Sequence, residues 1–149
     1  MLEERLEQDI KAALLGGDSV RVTTLRGLKS TLLNVKVAQG KRDVGLTDEE
    51  VLPIFAKEAK KRQESADMYS RGNATERAEA ELAEKVVIEE YLPKQLTEDE
   101  ITELVKAAIN ETGATGPQAM GQVIGKVKAA AGASADGSVI ARIVKALLV

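Results

Sequence analysis

The stretch Glu89-Glu90-Tyr91-Leu92-Pro93-Lys94-Gln95-Leu96-Thr97-Glu98-Asp99-Glu100 decides how this chain is organised. A charged helical pattern runs up to it and stops at Tyr91-Leu92-Pro93. Proline has no amide hydrogen to give a helix, and the residue before it is pushed away from helical backbone. A new helix then starts at Thr97-Glu98-Asp99-Glu100, whose Thr and Glu are spaced as a capping box. A small unit rich in Gly and Ala follows. Two modules are therefore expected, residues 1–92 and residues 93–149.

Working back from the break, the first module reads as about four helices. Leu2, Leu6, Ile10, Ala13 and Leu14 recur at helical spacing, and Gly16-Gly17 ends that run. Asp18 or Ser19 is a fair N-cap for the next helix, whose stripe is Val22, Leu25, Leu28, Leu32 and Val35. Gly40 to Gly45 is a charged turn. Thr47-Asp48-Glu49-Glu50 is a first capping box, followed by Leu52, Phe55, Ala59, Ala66 and Tyr69 on one face. Pro53 lies inside that helix and predicts a kink or a short first turn. Arg71-Gly72 closes it. Asn73-Ala74-Thr75-Glu76 opens another, with Ala78, Leu82, Val86 and Tyr91 expected inward.

Forward from the break, three short helices are expected. Ile101, Leu104, Val105, Ala108 and Ile109 line the first, and Gly113 ends it. Gly116-Pro117 suits an N-cap with proline at the first helical position. Met120, Val123, Ile124 and Val127 give the second stripe. Gly132 to Gly137 is a loop in which Asp136 can cap. Val139, Ile140, Ile143, Val144, Leu147 and Leu148 give the third. No strand-like alternation and no internal repeat is visible, so the fold class is all-α.

Composition narrows the chemistry. Hydrophobic residues make up 44% of the 149, but aromatics only 2%, so the core must be Leu, Val, Ile and Ala, which favours helices. The net charge of −3 is mild and argues against a surface that binds nucleic acid everywhere. There is no Cys and no His. That removes disulfides, Cys nucleophiles, Ser-His triads and the usual zinc sets. Met1-Leu2-Glu3-Glu4-Arg5 opens without an apolar run, so no signal peptide is expected. The apolar runs are too short to span a membrane, and a cytoplasmic protein is the expectation.

Two charge patterns are candidate sites. Residues 112–149 carry Lys126, Lys128, Arg142 and Lys145 against Asp136 alone, a net +3, which leaves −6 on residues 1–111. A basic tail on an acidic body can dock a nucleic-acid backbone, although it lacks the aromatics that stack bases. The second pattern is Lys57-Glu58-Ala59-Lys60-Lys61-Arg62-Gln63-Glu64. Lys57, Lys60 and Lys61 share a helix face that could meet phosphate, but Glu58–Arg62 and Lys60–Glu64 are ordinary intrahelical pairs, and a solvated face is the plainer reading. Gly116, Gly121 and Gly125 fit no phosphate-loop spacing and read as a cap and as close helix packing. Glu89-Glu90 and Asp48-Glu49-Glu50 read as helix-end carboxylates. Lys29-Ser30 is a lone pair with no further nucleophile signal.

Taken together, several stretches resemble the YqeY family, the stand-alone relatives of the C-terminal tail of the B subunit of the tRNA-dependent amidotransferase. They are Thr24-Leu25-Arg26-Gly27-Leu28-Lys29-Ser30, Leu46-Thr47-Asp48-Glu49-Glu50-Val51-Leu52, Lys57 through Ser65, Tyr91-Leu92-Pro93-Lys94-Gln95-Leu96, Thr112-Gly113-Ala114, Met120-Gly121 and Ala135-Asp136-Gly137. No one stretch is specific, but the ordered set covers nearly the whole length. The resemblance implies an N-terminal helical bundle joined to a three-helix tail. It implies a tail that contacts tRNA, and association with a carbon–nitrogen ligase that uses glutamine as amido donor. Many relatives place Lys-Gly-Arg before Ala-Asp-Gly; here Gly132-Ala133-Ser134 stand there, so two cations are missing.

The expected function is a non-catalytic adaptor for tRNA or a tRNA-processing enzyme complex. Its nucleic-acid-binding residues would be Lys126, Lys128, Arg142 and Lys145, with Lys57, Lys60 and Lys61 as a second patch. No catalytic residue, metal or cofactor is expected, and no membrane partner. The alternatives are a protein-interaction module with no RNA contact, and an accessory component of the ligase.

Overall fold

The structure is a computed structural model and describes residues 1–148, so Val149 lies outside the described residues. These residues form seven α-helices and two short 3-10 turns, with no strand: the fold is all-α. The chain divides into two compact units, Met1–Leu92 and Pro93–Val149.

The first unit holds α1 (Leu2–Gly16), α2 (Ser19–Ala38), α3 (Asp48–Arg71) and α4 (Thr75–Glu89). Gly17 ends α1 in the left-handed region at φ 71°, a conformation glycine adopts at no steric cost. Its amide bonds back to the carbonyls of Ala13 and Leu14. The Asp18 carboxylate accepts the Arg21 amide at 3.0 Å and starts α2. Leu6, Ile10, Leu25, Leu28 and Leu32 then pack with Phe55 and Ile88 in one core. Leu14 departs from expectation at 49% exposed, because one step past Ala13 it has turned out of the seam.

At Thr47 the full capping box forms. Thr47 Oγ1 accepts the Glu50 amide at 3.2 Å, and Glu50 Oε2 accepts the Thr47 amide at 2.8 Å. The Lys41 ammonium bonds to the same Glu50 carboxylate and, with that backbone amide, holds it below the usual carboxylate range. Pro53 does not shorten α3, which runs unbroken from Asp48 to Arg71. Glu49, whose carbonyl loses its helical donor to Pro53, is an exposed residue, as is Pro53 itself. At the far end Gly72 has an ordinary φ of −88°, and Asn73 takes the left-handed turn at φ 61°.

The phase of α4 differs most from the expected stripe. Ala78, Val87 and Ile88 are buried, while Leu82 is 39% and Val86 60% exposed. The reason is a polar seam. Arg62 of α3 meets Glu84 at 2.8 Å and Glu81 at 3.9 Å, so the middle of the inward face of α4 is charged. An apolar pattern cannot find a face that alternates with carboxylates. Just past α4, Tyr91 is buried with its ring edge-on to Phe55, centroids 5.5 Å apart. Its hydroxyl donates to Asp9.

The second unit holds α5 (Glu98–Thr112), α6 (Met120–Ala131) and α7 (Gly137–Leu148), with 3-10 turns at Pro117–Ala119 and Gly132–Ser134. Ile101, Val105, Val123, Val127, Ile140 and Val144 form its own core. Only half of the expected capping box appears at Thr97. Its hydroxyl oxygen accepts the Glu100 amide at 3.1 Å, but the Glu100 carboxylate bonds back to that hydroxyl and not to the Thr97 amide. Gly116 (φ 78°) caps the 3-10 turn that leads into α6. Leu147, expected inward, is 40% exposed.

Two outcomes follow for stability. Phe55 is fully buried, so Phe55→Ala should lower the unfolding free energy by about 3–5 kcal/mol in urea titrations. Burial, reinforced by the bond to Asp9, raises the Tyr91 pKa well above its ordinary value. The folded state therefore keeps a proton that the unfolded chain loses near pH ~10. That stabilisation is complete below about pH 10 and is lost as pH rises further. Thermal melts should show an alkaline loss of Tm in the parent chain that Tyr91→Phe makes shallower.

Candidate nucleic-acid interface

The start of α5 is tied to the turn before α7. The Leu96 amide donates to the Ser134 carbonyl at 2.8 Å, and the Gln95 side chain donates to the Ala133 carbonyl at 3.0 Å. Asp136 then accepts the Ser138 amide at 2.9 Å and opens α7. The two long-range bonds hold the chain just ahead of α5 against the turn that leads into α7. Ala133 and Ser134, which stand where many relatives carry cations, thus serve here through their backbone carbonyls.

Charge in this unit is sorted by helix. Glu98, Asp99, Glu100, Glu103 and Glu111 all lie on α5, whereas α6 and α7 carry Lys126, Lys128, Arg142 and Lys145 and no carboxylate. With Lys94, Lys106 and Asp136 the unit holds six cations and six carboxylates, a net charge of zero. The net +3 counted over residues 112–149 therefore does not describe the folded unit. That count leaves out α5, whose Ile101, Val105 and Ala108 belong to the same core as Val123 and Ile140.

The four expected site residues do not form one patch. Lys126 pairs with Glu111 at 2.5 Å, on the α5 side of α6. Lys128 is two residues on, so its side chain leaves α6 on nearly the opposite side, about 200° round. Its stem lies at the start of α7, with Nζ 3.2 Å from where a Cβ on Gly137 would stand. Arg142 and Lys145 are one turn apart on the exposed side of α7 and share a face. Arg142 pairs with Glu98. Glu98 and Glu111 are thirteen residues apart on α5, on the order of 20 Å. The fold therefore groups Arg142 and Lys145, with Lys128 at the head of their helix, and sets Lys126 apart. Both ion pairs are solvated, with side chains 45–67% exposed, and pairs of this kind contribute little.

The second patch is partly structural. Lys57, Lys60 and Lys61 are exposed on α3, and Lys61 reaches Glu58 at 3.3 Å. Glu58 itself is only 8% exposed and accepts from Arg62 at 3.2 Å, the same guanidinium that holds Glu84. The expected Glu58–Arg62 pair is thus one part of the α3–α4 seam. No spacing in the sequence links it to Glu81 or Glu84, because these residues lie on the next helix.

The other candidates resolve plainly. Lys29 pairs with Glu7 at 2.6 Å, which leaves Lys29-Ser30 no activating geometry of its own. Added Cβ atoms on Gly121 and Gly125 would meet nothing within 4 Å, so the expected close helix packing there is not found. A shallow groove of about 250 Å³ between α1 and α2, which the sequence did not signal, is lined by Glu3, Leu6, Glu7, Lys29, Leu32 and Lys36. The Lys29–Glu7 and Lys36–Glu3 pairs join its two walls. Among the described residues no acidic group is arranged to hold a metal ion, and no helix is long and apolar enough to cross a membrane.

Two relatives show how far the likeness extends. The chain is 33% identical over 87 residues to the "Altered inheritance of mitochondria protein 41, mitochondrial" of Kluyveromyces lactis, covering 58% of this chain and 45% of that protein. It is 32% identical over 88 residues to the protein of the same name from Lachancea thermotolerans, covering 58% and 46%. The chain thus matches about half the length of these relatives. The family described as Yqey-like protein matches residues 3–148, nearly the whole sequence, and the chain belongs to the YqeY family.

Proposed function

We propose that this protein is a helical adaptor that docks on tRNA, or on an enzyme carrying tRNA, through the exposed basic side of its C-terminal unit. The observation that supports this is the sorting of charge: α6 and α7 hold four cations and no carboxylate, while the acids of the unit gather on α5. Net neutrality does not prevent such docking, because a phosphate backbone responds to the local face and not to the sum. Arg142, Lys145 and Lys128 form the main contact in this reading, and Lys126 an outlying one. The YqeY resemblance to the amidotransferase tail points the same way, and in this reading the chain supplies binding and not catalysis. Cytoplasmic residence is part of the proposal; the word "mitochondrial" in the relatives' names is said of those proteins.

A second reading has its own support. Leu15 is 91%, Val44 82% and Val86 60% exposed on the N-terminal unit, and each is an apolar side chain that a protein partner could cover. A protein-interaction module without RNA contact, or an accessory part of a carbon–nitrogen ligase, would use that unit instead.

Fluorescence anisotropy with labelled total tRNA separates the two. Three phosphate contacts imply a log–log salt slope near −2.7, so affinity should fall roughly fortyfold between about 50 and 200 mM salt. Changing Lys126, Lys128, Arg142 and Lys145 together to Gln should abolish binding with helicity by circular dichroism unchanged. No binding at low salt removes the RNA reading. Binding by residues 1–92 as tight as by the full chain moves the site to Lys57, Lys60 and Lys61.

A further inference from the structure

We propose that Glu98 is an intramolecular competitor for the polyanion, holding Arg142 until a phosphate displaces it. The inference rests on the reading that α7 carries the phosphate-contacting face.

Arg142 stands on the exposed side of α7, one turn before Lys145, where a bound backbone would meet both. Its guanidinium is engaged instead by the carboxylate of Glu98, a residue 44 positions earlier. That encounter is built by the fold. The Leu96–Ser134 and Gln95–Ala133 bonds anchor the chain just ahead of α5 against the turn before α7, and Glu98 is the first residue of α5. A carboxylate and a phosphate present the same chemistry to a guanidinium, paired anionic oxygens that accept its forked N–H groups. They therefore exclude one another at this position.

The pair is suited to exchange. The Arg142 side chain is 59% exposed and that of Glu98 67%, so water screens the attraction and neither charge is stranded when the pair opens. Glu98 also has a second favourable setting that does not depend on Arg142. It lies in the first turn of α5, where the positive end of the helix stabilises a carboxylate. Opening the pair thus leaves Glu98 at a helix N-terminus and frees Arg142 for the ligand. The cost is that of one solvated ion pair, which corresponds to two- to fivefold in affinity. Lys145 has no such competitor among the described residues, so the effect should be specific to Arg142.

The test compares Glu98→Gln with Asp99→Asn in the full-length chain. Asp99 is the next residue of α5 and makes no ion pair among the described residues, so both changes alter the net charge equally. Affinity is read by anisotropy for labelled total tRNA, and separately for inorganic polyphosphate by competition with a labelled polyphosphate. Glu98→Gln should bind both probes two- to fivefold more tightly than Asp99→Asn. In an Arg142→Gln background the two changes should become indistinguishable. Circular dichroism and Tm establish that each variant is folded. If polyphosphate shows the Glu98 effect but tRNA does not bind, the competitor stands and the tRNA reading fails. If tRNA binds and Glu98→Gln matches Asp99→Asn, the competitor is overturned and the tRNA reading stands. If neither probe binds parent or variant, both fall.

Discussion

One buried tyrosine ties helices of the N-terminal unit together. Tyr91 follows the last turn of α4, and its ring fills the core against Phe55. A buried phenol needs a hydrogen-bond partner, and Asp9 on α1 supplies it. Arg5 lies over the same ring at 4.3 Å, pairs with Asp9 at 3.5 Å, and donates to the Glu90 carbonyl at 3.3 Å. Arg21 of α2 then holds the Glu90 carboxylate at 2.6 Å. The middle of the first helix, the start of the second and the end of the fourth are thereby joined by a single polar cluster over an apolar floor. Every member has a partner, which is the condition under which such a cluster adds order.

The α3–α4 hairpin solves a related problem differently. With one Phe and two Tyr in the chain, large side chains are scarce. Alanines at positions 59, 66 and 78 are buried among the contacts of these helices, and small residues let helices approach closely. Between them runs Glu58–Arg62–Glu84, with Glu58 nearly buried. Arg62 also reaches Glu81, and Glu58 also reaches Lys61, so the seam is a network in which each of these two charges has more than one partner. The densest charge run of the sequence is therefore both a solvated face and an internal fastening.

In the C-terminal unit the fold decides what charge means. A window over residues 112–149 looks basic, yet the structural unit also contains α5, and its acids cancel the sum. What survives is polarity. One side of the unit is rich in acids, the other in cations, and two solvated ion pairs join them at the edges. A ligand would meet that local field and those edge pairs, and the total charge would tell it little.

Much of this was legible in the residues themselves. The helix stops at Gly17 and Gly113, the cap at Asp18, the full box at Thr47 and Glu50, and the stripes of α2, α5 and α6 are all local matters. They involve partners within a few positions, so the sequence by itself determined them, and with them an all-helical chain. Tertiary structure alone decided the rest. The inward face of α4 follows Arg62 across the hairpin, so Leu82 and Val86 stand in water although their spacing is apolar. Thr97 makes half a box, since Glu100 bonds to its hydroxyl and not to its amide. Lys126 and Arg142 look alike in the sequence. They differ in the fold because Glu111 and Glu98, remote in the chain, come to opposite flanks of α5. A pairing between distant residues depends on where whole helices pack, and no spacing within a helix encodes that.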